Sequence, residues 1–218
     1  MRYKNFNEVI KAASESDKGL VFILGDADRF LSYADLYKNA IRTMGFIQHK
    51  TQGQFKEVVF QIDDNEIFIT WFIACLLGGF IPVPLSTGQE NDCRTKLLSV
   101  WKDLSAPCLL IDQKNLERLR LYCNSLGQMD VLSSLEDRII MSTSGTEYNI
   151  PGILMDAMSH DIAFVQYSSG ATGSPKGSIV THKNLLSNAS DMIDRARIRP
   201  DDRSISWLPL THDFGLIC

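Results

Sequence analysis

Short apolar runs alternating with amphipathic stretches predict an α/β fold: a layered, mostly parallel sheet with flanking helices. Three observations carry that expectation. Residues 58–62, 65–77 and 80–85 read as strand, helix and strand, a βαβ unit, which implies parallel neighbours and a right-handed crossover. The alternation continues through a helix around 95–104, a strand at 108–111 and a helix over roughly 116–124. Finally, 218 residues at 44% hydrophobic and 22% charged supply a core for one domain or one large lobe.

The elements follow in chain order. Residues 5–14 read as a short helix. Residues 20–24 and 29–32 read as two strands around the turn Gly25-Asp26-Ala27-Asp28, so the pair suits a hairpin. Ser32 is placed to cap a helix running to about Gln48, with Leu36, Ala40, Ile41 and Met44 as its apolar positions. After the βαβ unit and the segments that continue it, residues 141–150 are polar and turn-rich, and an exposed connector is expected over 141–159. A buried strand at 162–167, a Gly/Ser-rich loop and a short strand at 178–180 come next. Thr181 is a good N-cap for a helix to about Arg195, and 204–207 reads as a last strand.

Composition narrows the function classes. The net charge is −4 and no basic run is long, which argues against nucleic acid and anionic membrane surfaces as partners. The five cysteines (Cys75, Cys93, Cys108, Cys123 and Cys218) form no Cys-x-x-Cys pair. Scattered reduced thiols in a cytoplasmic protein are expected. The four histidines show no metal-ligand spacing. The start of the chain lacks the apolar stretch of a signal peptide. Residues 67–85 are almost wholly apolar and approach membrane-spanning length. They contain Gly78-Gly79 and two prolines, Pro82 and Pro84, and Asp63-Asp64-Asn65-Glu66 precedes them. The segment is read as a buried helix followed by a strand, not as a membrane span.

The most informative stretch is residues 167–177, Tyr-Ser-Ser-Gly-Ala-Thr-Gly-Ser-Pro-Lys-Gly. Glycines let a backbone approach a ligand closely. Amide N–H groups and hydroxyls donate to phosphate oxygens, and a lysine adds a point positive charge. Following a buried strand, such a loop suits an enzyme that grips ATP. The spacing is neither that of a Walker loop nor Gly-x-Gly-x-x-Gly.

The stretch resembles the signature of the adenylate-forming (AMP-binding) superfamily, Tyr-Thr-Ser-Gly-Ser-Thr-Gly-x-Pro-Lys-Gly. Ser168 stands for threonine and keeps the hydroxyl. Ala171 stands for serine and loses one, which points to weaker phosphate affinity. Three further segments fit the same superfamily: Leu31-Ser32-Tyr33-Ala34-Asp35-Leu36, the architectural stretch from Cys75 to Leu85, and residues 207–217. The last, Trp-Leu-Pro-Leu-Thr-His-Asp-Phe-Gly-Leu-Ile, resembles the form typical of fatty acyl-AMP ligases, including those that open lipopeptide and polyketide assembly lines. Amino-acid-activating relatives generally carry a Phe-Asp-x-Ser form there. Gly145-Thr146-Glu147 imitates a later family motif with a magnesium-binding glutamate, but it precedes the phosphate loop and is read as part of the connector.

The resemblance implies the N-terminal lobe of an adenylate-forming fold, incomplete, spanning residues 1–218, and it implies roles. Ser168, Ser169, Thr172 and Lys176 contact the β- and γ-phosphates, while Gly170, Gly173 and Gly177 allow the approach. Lys176 either touches phosphate or serves mainly to order the loop. His212 and Asp213 lie near the acyl carboxylate and the nucleotide, and Phe214 faces the acyl tunnel in place of the usual methionine. His182, at a helix start, suits a structural role as well as a functional one. Lys176 and His212 are the candidate catalytic residues.

The implied reaction joins a carboxylate to the α-phosphorus of ATP with loss of pyrophosphate. The acyl-adenylate then passes to an acyl-carrier-protein thiol or to coenzyme A. ATP and Mg²⁺ are the expected cofactors. The magnesium glutamate, the ribose-binding aspartate and the Arg and Lys of the mobile C-terminal domain are expected beyond Cys218. No metal ligand is assigned within the chain. The apolar Leu216-Ile217-Cys218 reads as a cut through a larger domain, and the remainder of the adenylating enzyme is an expected partner. Alone, the 218 residues are expected to bind ATP weakly at best and not to adenylate. The alternatives are an acyl-CoA ligase fragment, or a non-catalytic nucleotide-binding or interaction module that kept only this lobe.

Overall fold

The structure, a computed structural model, describes residues 3–143, 148–168 and 175–217. Helix α1 (Phe6–Ser14) leads into an antiparallel hairpin of β1 (Gly19–Phe22) and β2 (Arg29–Ser32). Helix α2 (Tyr33–Thr51) follows, then β3 (Glu57–Gln61), α3 (Asn65–Gly78), β4 (Ile81–Pro84), α4 (Asn91–Asp103), β5 (Pro107–Ile111) and α5 (Gln113–Ser125). Helix α6 (Met129–Glu136) and β6 (Ile139–Met141) complete the sheet. The chain then forms a second hairpin of β7 (Ile162–Ser168) and β8 (Lys176–Thr181), helix α7 (His182–Ala196) and the short α8 (Asp213–Ile217).

Local chemistry starts most of the helices. Side-chain oxygens of Asn5, Ser32, Asp64, Asp112 and Thr181 accept the N–H three residues on, beginning α1, α2, α3, α5 and α7. Each such cap is worth about 1 kcal/mol. At α7 the capping is reciprocal, because Asn184 also accepts from the Thr181 amide at 2.9 Å.

The central sheet is parallel, in the order β4-β3-β5-β6. Both of its faces are covered, so its strands are continuous apolar runs whose side chains alternate between two cores. Val58, Phe60, Cys108 and Leu110 point into one core, with α1, α2 and α3. Val59, Leu109 and Ile111 point into the other, with α4, α5 and α6. Helix α3 is buried nearly all round, from Phe68 to Leu77. This accounts for the apolar run at 67–85: Gly79, at φ 73°, ends the helix and turns the chain into β4. Among the described residues no helix is long and apolar enough to cross a membrane.

The structure amends the sequence reading in four places. The sequence pattern shows neither helix α6 nor strand β6, and Met141, which it places in the connector, closes β6 against Ile111. Three residues are too few to reveal a two-residue period. Residues 204–207 form no strand: Ile205 and Trp207 are exposed, and no described strand pairs with them. Alternating residues make a strand only when a neighbour supplies the hydrogen-bond ladder. The described part of the connector is also tied down. Gln48 exchanges two hydrogen bonds with Ile153, at 2.7 and 2.8 Å, and the amides of Gly152 and Met155 donate to Ile41 and Leu77. It is an extended strap over α2 and α3, its Ile153 and Met158 side chains facing outward. Residues 145–147 lie outside the described residues.

Candidate functional site

Hairpin β7–β8 carries the Gly/Ser-rich loop at its tip. Strand β7 packs beside β4, and the two begin together around a cavity lined by Ile81 and Ile162. The loop therefore leaves β7 at the end of the molecule where the parallel strands finish, the side on which open α/β sheets bind ligands. The loop returns into a strand. Strand β8 is the next described element, so no helix N-terminus follows the loop directly.

Of the predicted phosphate residues, Ser168, Lys176 and Gly177 are described; Ser169, Gly170, Thr172 and Gly173 lie outside the described residues. Ser168 pairs with Lys176 across the hairpin, and Tyr167 with Gly177. This register sets the Ser168 hydroxyl and the Lys176 ammonium at the two edges of the loop mouth, both exposed. None of the described carboxylates forms an ion pair with Lys176. Gly177 has a packing reason of its own. A Cβ there would stand 3.0 Å from Cζ of Tyr167 and 3.1 Å from Cγ1 of Val165. The Tyr167 ring is buried against the second core, where burial pushes its phenol above the usual value.

The His-Asp segment sits on the same strand. Nε2 of Gln166 donates to the backbone carbonyl of Thr211 at 3.1 Å. Gln166 is two residues before Ser168 and Thr211 is one before His212, so the tether brings both motifs to one strand end. Nδ1 of His212 lies 2.6 Å from Oδ1 of Asp213, which also accepts the Phe214 amide at 2.8 Å. An N–H on Nδ1 donating to Asp213 fits the 2.6 Å distance and leaves Nε2 for another partner. The amide of Phe214 also lies 3.3 Å from Nδ1. The Asp213 contact is shorter and charge-assisted, and it governs. His212, Asp213 and Phe214 are all exposed. From the other side, Nδ2 of Asn188 on α7 donates to the Ile217 carbonyl at 2.7 Å and holds α8 down.

His182 takes the structural role. It is buried, its Nδ1 accepts the Phe6 amide at 3.3 Å, and burial lowers its pKa, with Asp161 opposing. Two residues at the site were missed from sequence: Gln166, and Lys96 on α4, whose ammonium donates to the Tyr167 carbonyl at 2.9 Å. Both are single polar side chains reaching distant backbone, and no local pattern marks such contacts. Among the described residues no three His, Cys, Asp or Glu side chains are grouped to hold a metal ion. The described residues therefore make no magnesium cage.

The family model of AMP-binding enzymes matches residues 10–218. The chain is 27% identical over 228 residues to the medium-chain-fatty-acid–acyl-carrier-protein ligase TtuA of Teredinibacter turnerae, covering 88% of this chain and 35% of that protein. It is 30% identical over 156 residues to the long-chain-fatty-acid–AMP ligase FadD26 of Mycobacterium marinum, covering 69% and 26%. Among solved structures it is similar to the McyG A-PCP complexed with phenylalanyl-adenylate. That match has a TM-score of 0.86 and 29% identity, and covers 99% of this chain and 34% of the other. A fatty acyl-adenylate ligase from L. pneumophila shares the fold at TM-score 0.79 and 23% identity, covering 99% and 37%. The chain spans about a third of the length of the curated relatives it matches. By the match over 10–218, the chain belongs to the AMP-binding enzyme family.

Proposed function

We propose that this chain is the N-terminal portion of an AMP-binding domain and supplies the ATP grip and part of the acyl site of a fatty-acid-activating ligase. The observation that carries the reading is the Gln166–Thr211 tether, which brings the phosphate loop and the His-Asp segment to one strand end. The names of TtuA and FadD26 support a fatty acid as the carboxylate.

In this reading a carboxylate oxygen of the fatty acid attacks the α-phosphorus of ATP. A new P–O bond forms, the bond to the bridging oxygen breaks, and pyrophosphate leaves with the electron pair. Two anions must be held in line, so the site's task is positioning and charge compensation. Ser168 and Lys176, paired across the loop mouth, hold the β- and γ-phosphates with Ser169 and Thr172, while Gly170, Gly173 and Gly177 keep the backbone close. Asp213 fixes the His212 ring, and Nε2 meets the acyl carboxylate and the nucleotide. Phe214 borders the acyl chain.

The acyl-adenylate then passes to a thiol, and we favour an acyl carrier protein over coenzyme A on the strength of the TtuA likeness. The free thiols Cys75, Cys93, Cys108 and Cys123 suit a reducing cytoplasm. The test is ATP–pyrophosphate exchange by the protein expressed from its native gene, with a medium-chain fatty acid, a long-chain fatty acid, an amino acid and a keto acid in turn. Fatty-acid-dependent exchange supports the reading. Exchange with the amino acid or keto acid alone, or none at all, overturns it.

A further inference from the structure

The phosphate loop has a second lysine at its base, from a different layer of the molecule. Helix α4 covers the second core through Leu97, Leu98 and Val100, the core that also takes the Tyr167 ring. Its start is fixed by buried Arg94, whose Nη1 and Nη2 donate to the carbonyls of Gly88 and Gln89 at 2.9 and 2.5 Å. Its flank is fixed by Thr95, whose Oγ1 lies 2.7 Å from the Tyr122 hydroxyl of α5. With the helix held on both sides, the half-buried Lys96 side chain runs to β7 and its Nζ donates to the Tyr167 carbonyl at 2.9 Å.

Tyr167 is the first residue of the Gly/Ser-rich stretch, and its carbonyl is one residue from Ser168. A hydrogen bond there fixes the peptide plane from which the loop departs. The donor is charged, and no described carboxylate forms an ion pair with it. A half-buried ammonium that donates to a neutral carbonyl is poorly compensated, and the Cys93 thiol offsets its burial only in part. An anion bound nearby would relieve it, and burial already pulls the Lys96 pKa down.

We propose that Lys96 is a positioning residue for the phosphate loop: through the Tyr167 carbonyl it sets the angle at which the loop meets the polyphosphate of a nucleoside triphosphate. The assignment rests on the reading of 167–177 as a phosphate loop. A lysine that merely props α4 against β7 would matter for stability alone. A positioning lysine matters for the loop's local dynamics and for ATP.

The experiment compares wild type, Lys96→Met and Lys96→Arg in two readouts. Amide hydrogen exchange without nucleotide reports the loop base. For Lys96→Met, exchange at 165–168 and 176–178 rises about fivefold while the rest of the sheet is unchanged. Steady-state exchange kinetics with MgATP report the site. Lys96→Met raises KM for ATP about tenfold with kcat held within about twofold, and Lys96→Arg, which keeps a charged donor, restores most of the KM. The proposal is overturned if Lys96→Met leaves both loop-base exchange and KM unchanged, or lowers only the Tm. If the wild-type protein does not use ATP, the proposed function fails, and the nucleotide-free exchange alone decides whether Lys96 orders the loop.

Discussion

The side-chain amide of Gln166 donates to the backbone carbonyl of Thr211 at 3.1 Å, so the strand that launches the Gly/Ser-rich loop also anchors the residue before His212. Replacing Gln166 by leucine removes that donor at a cost of about 1 kcal/mol. The loss concentrates in the segment it holds. Residues 204–212 become more sensitive to limited proteolysis while the Tm barely moves, and on the proposed function KM for the carboxylate rises. Unchanged cleavage of this segment in Gln166→Leu would mean that it is held elsewhere.

Asp213 orients the His212 ring through a 2.6 Å contact with Nδ1. On the proposed function, Asp213→Ala leaves the ring to rotate and lowers adenylation about tenfold to a hundredfold, the scale of one lost charge-assisted hydrogen bond. Asp213→Asn keeps an oxygen acceptor for Nδ1–H and loses less. Equal effects of the two variants in an exchange assay would show that the negative charge matters and ring orientation does not.

Gly177 lies under the Tyr167 ring, and an added Cβ would stand 3.0 Å from Cζ. Gly177→Ala pushes a buried ring and costs about 1 kcal/mol or more. Because Tyr167 begins the loop, on the proposed function ATP affinity falls along with the Tm. A Tyr167→Phe background leaves the effect intact, since the clash is with ring carbons. Thermal unfolding and ATP titration of the single and double variants check this.

His182 is buried and its folded pKa lies below the ordinary 6.5. As pH falls through 6.5 the unfolded chain takes a proton that the folded imidazole resists, so stability is present above this value and is lost progressively below it, until the folded pKa is passed. A protonated ring also cannot accept the Phe6 amide, although nearby Asp161 eases its charging. The Tm should therefore drop between a buffer above and a buffer below pH 6.5. His182→Asn, which offers Oδ1 to the Phe6 amide and does not titrate, flattens that drop. Identical pH slopes for the two proteins would assign the effect to other groups.

The sequence made those features legible that are encoded locally. Asp64 and Thr181 mark helix starts because a cap is made within three residues. The apolar runs of β3 and β5 were legible because both sheet faces are buried. The loop and the His-Asp segment are local motifs, and the roles read from them stand as proposals. The contacts that join them are not local: Lys96 reaches Tyr167 across 71 residues and Gln166 reaches Thr211 across 45. Each is one polar side chain meeting backbone, which leaves no periodicity to read. Ile205 and Trp207 misled for the converse reason. Their spacing suits a strand, but a strand exists only where a partner lies alongside.

The most direct test of the central claim is a calorimetric titration of MgATP into the protein expressed from its native gene, as wild type and as Lys176→Met. Saturable binding by the wild type is expected, weakened about tenfold or more by the loss of the lysine at the loop mouth. Absence of saturable binding by the wild type, or binding that Lys176→Met leaves untouched, would contradict it.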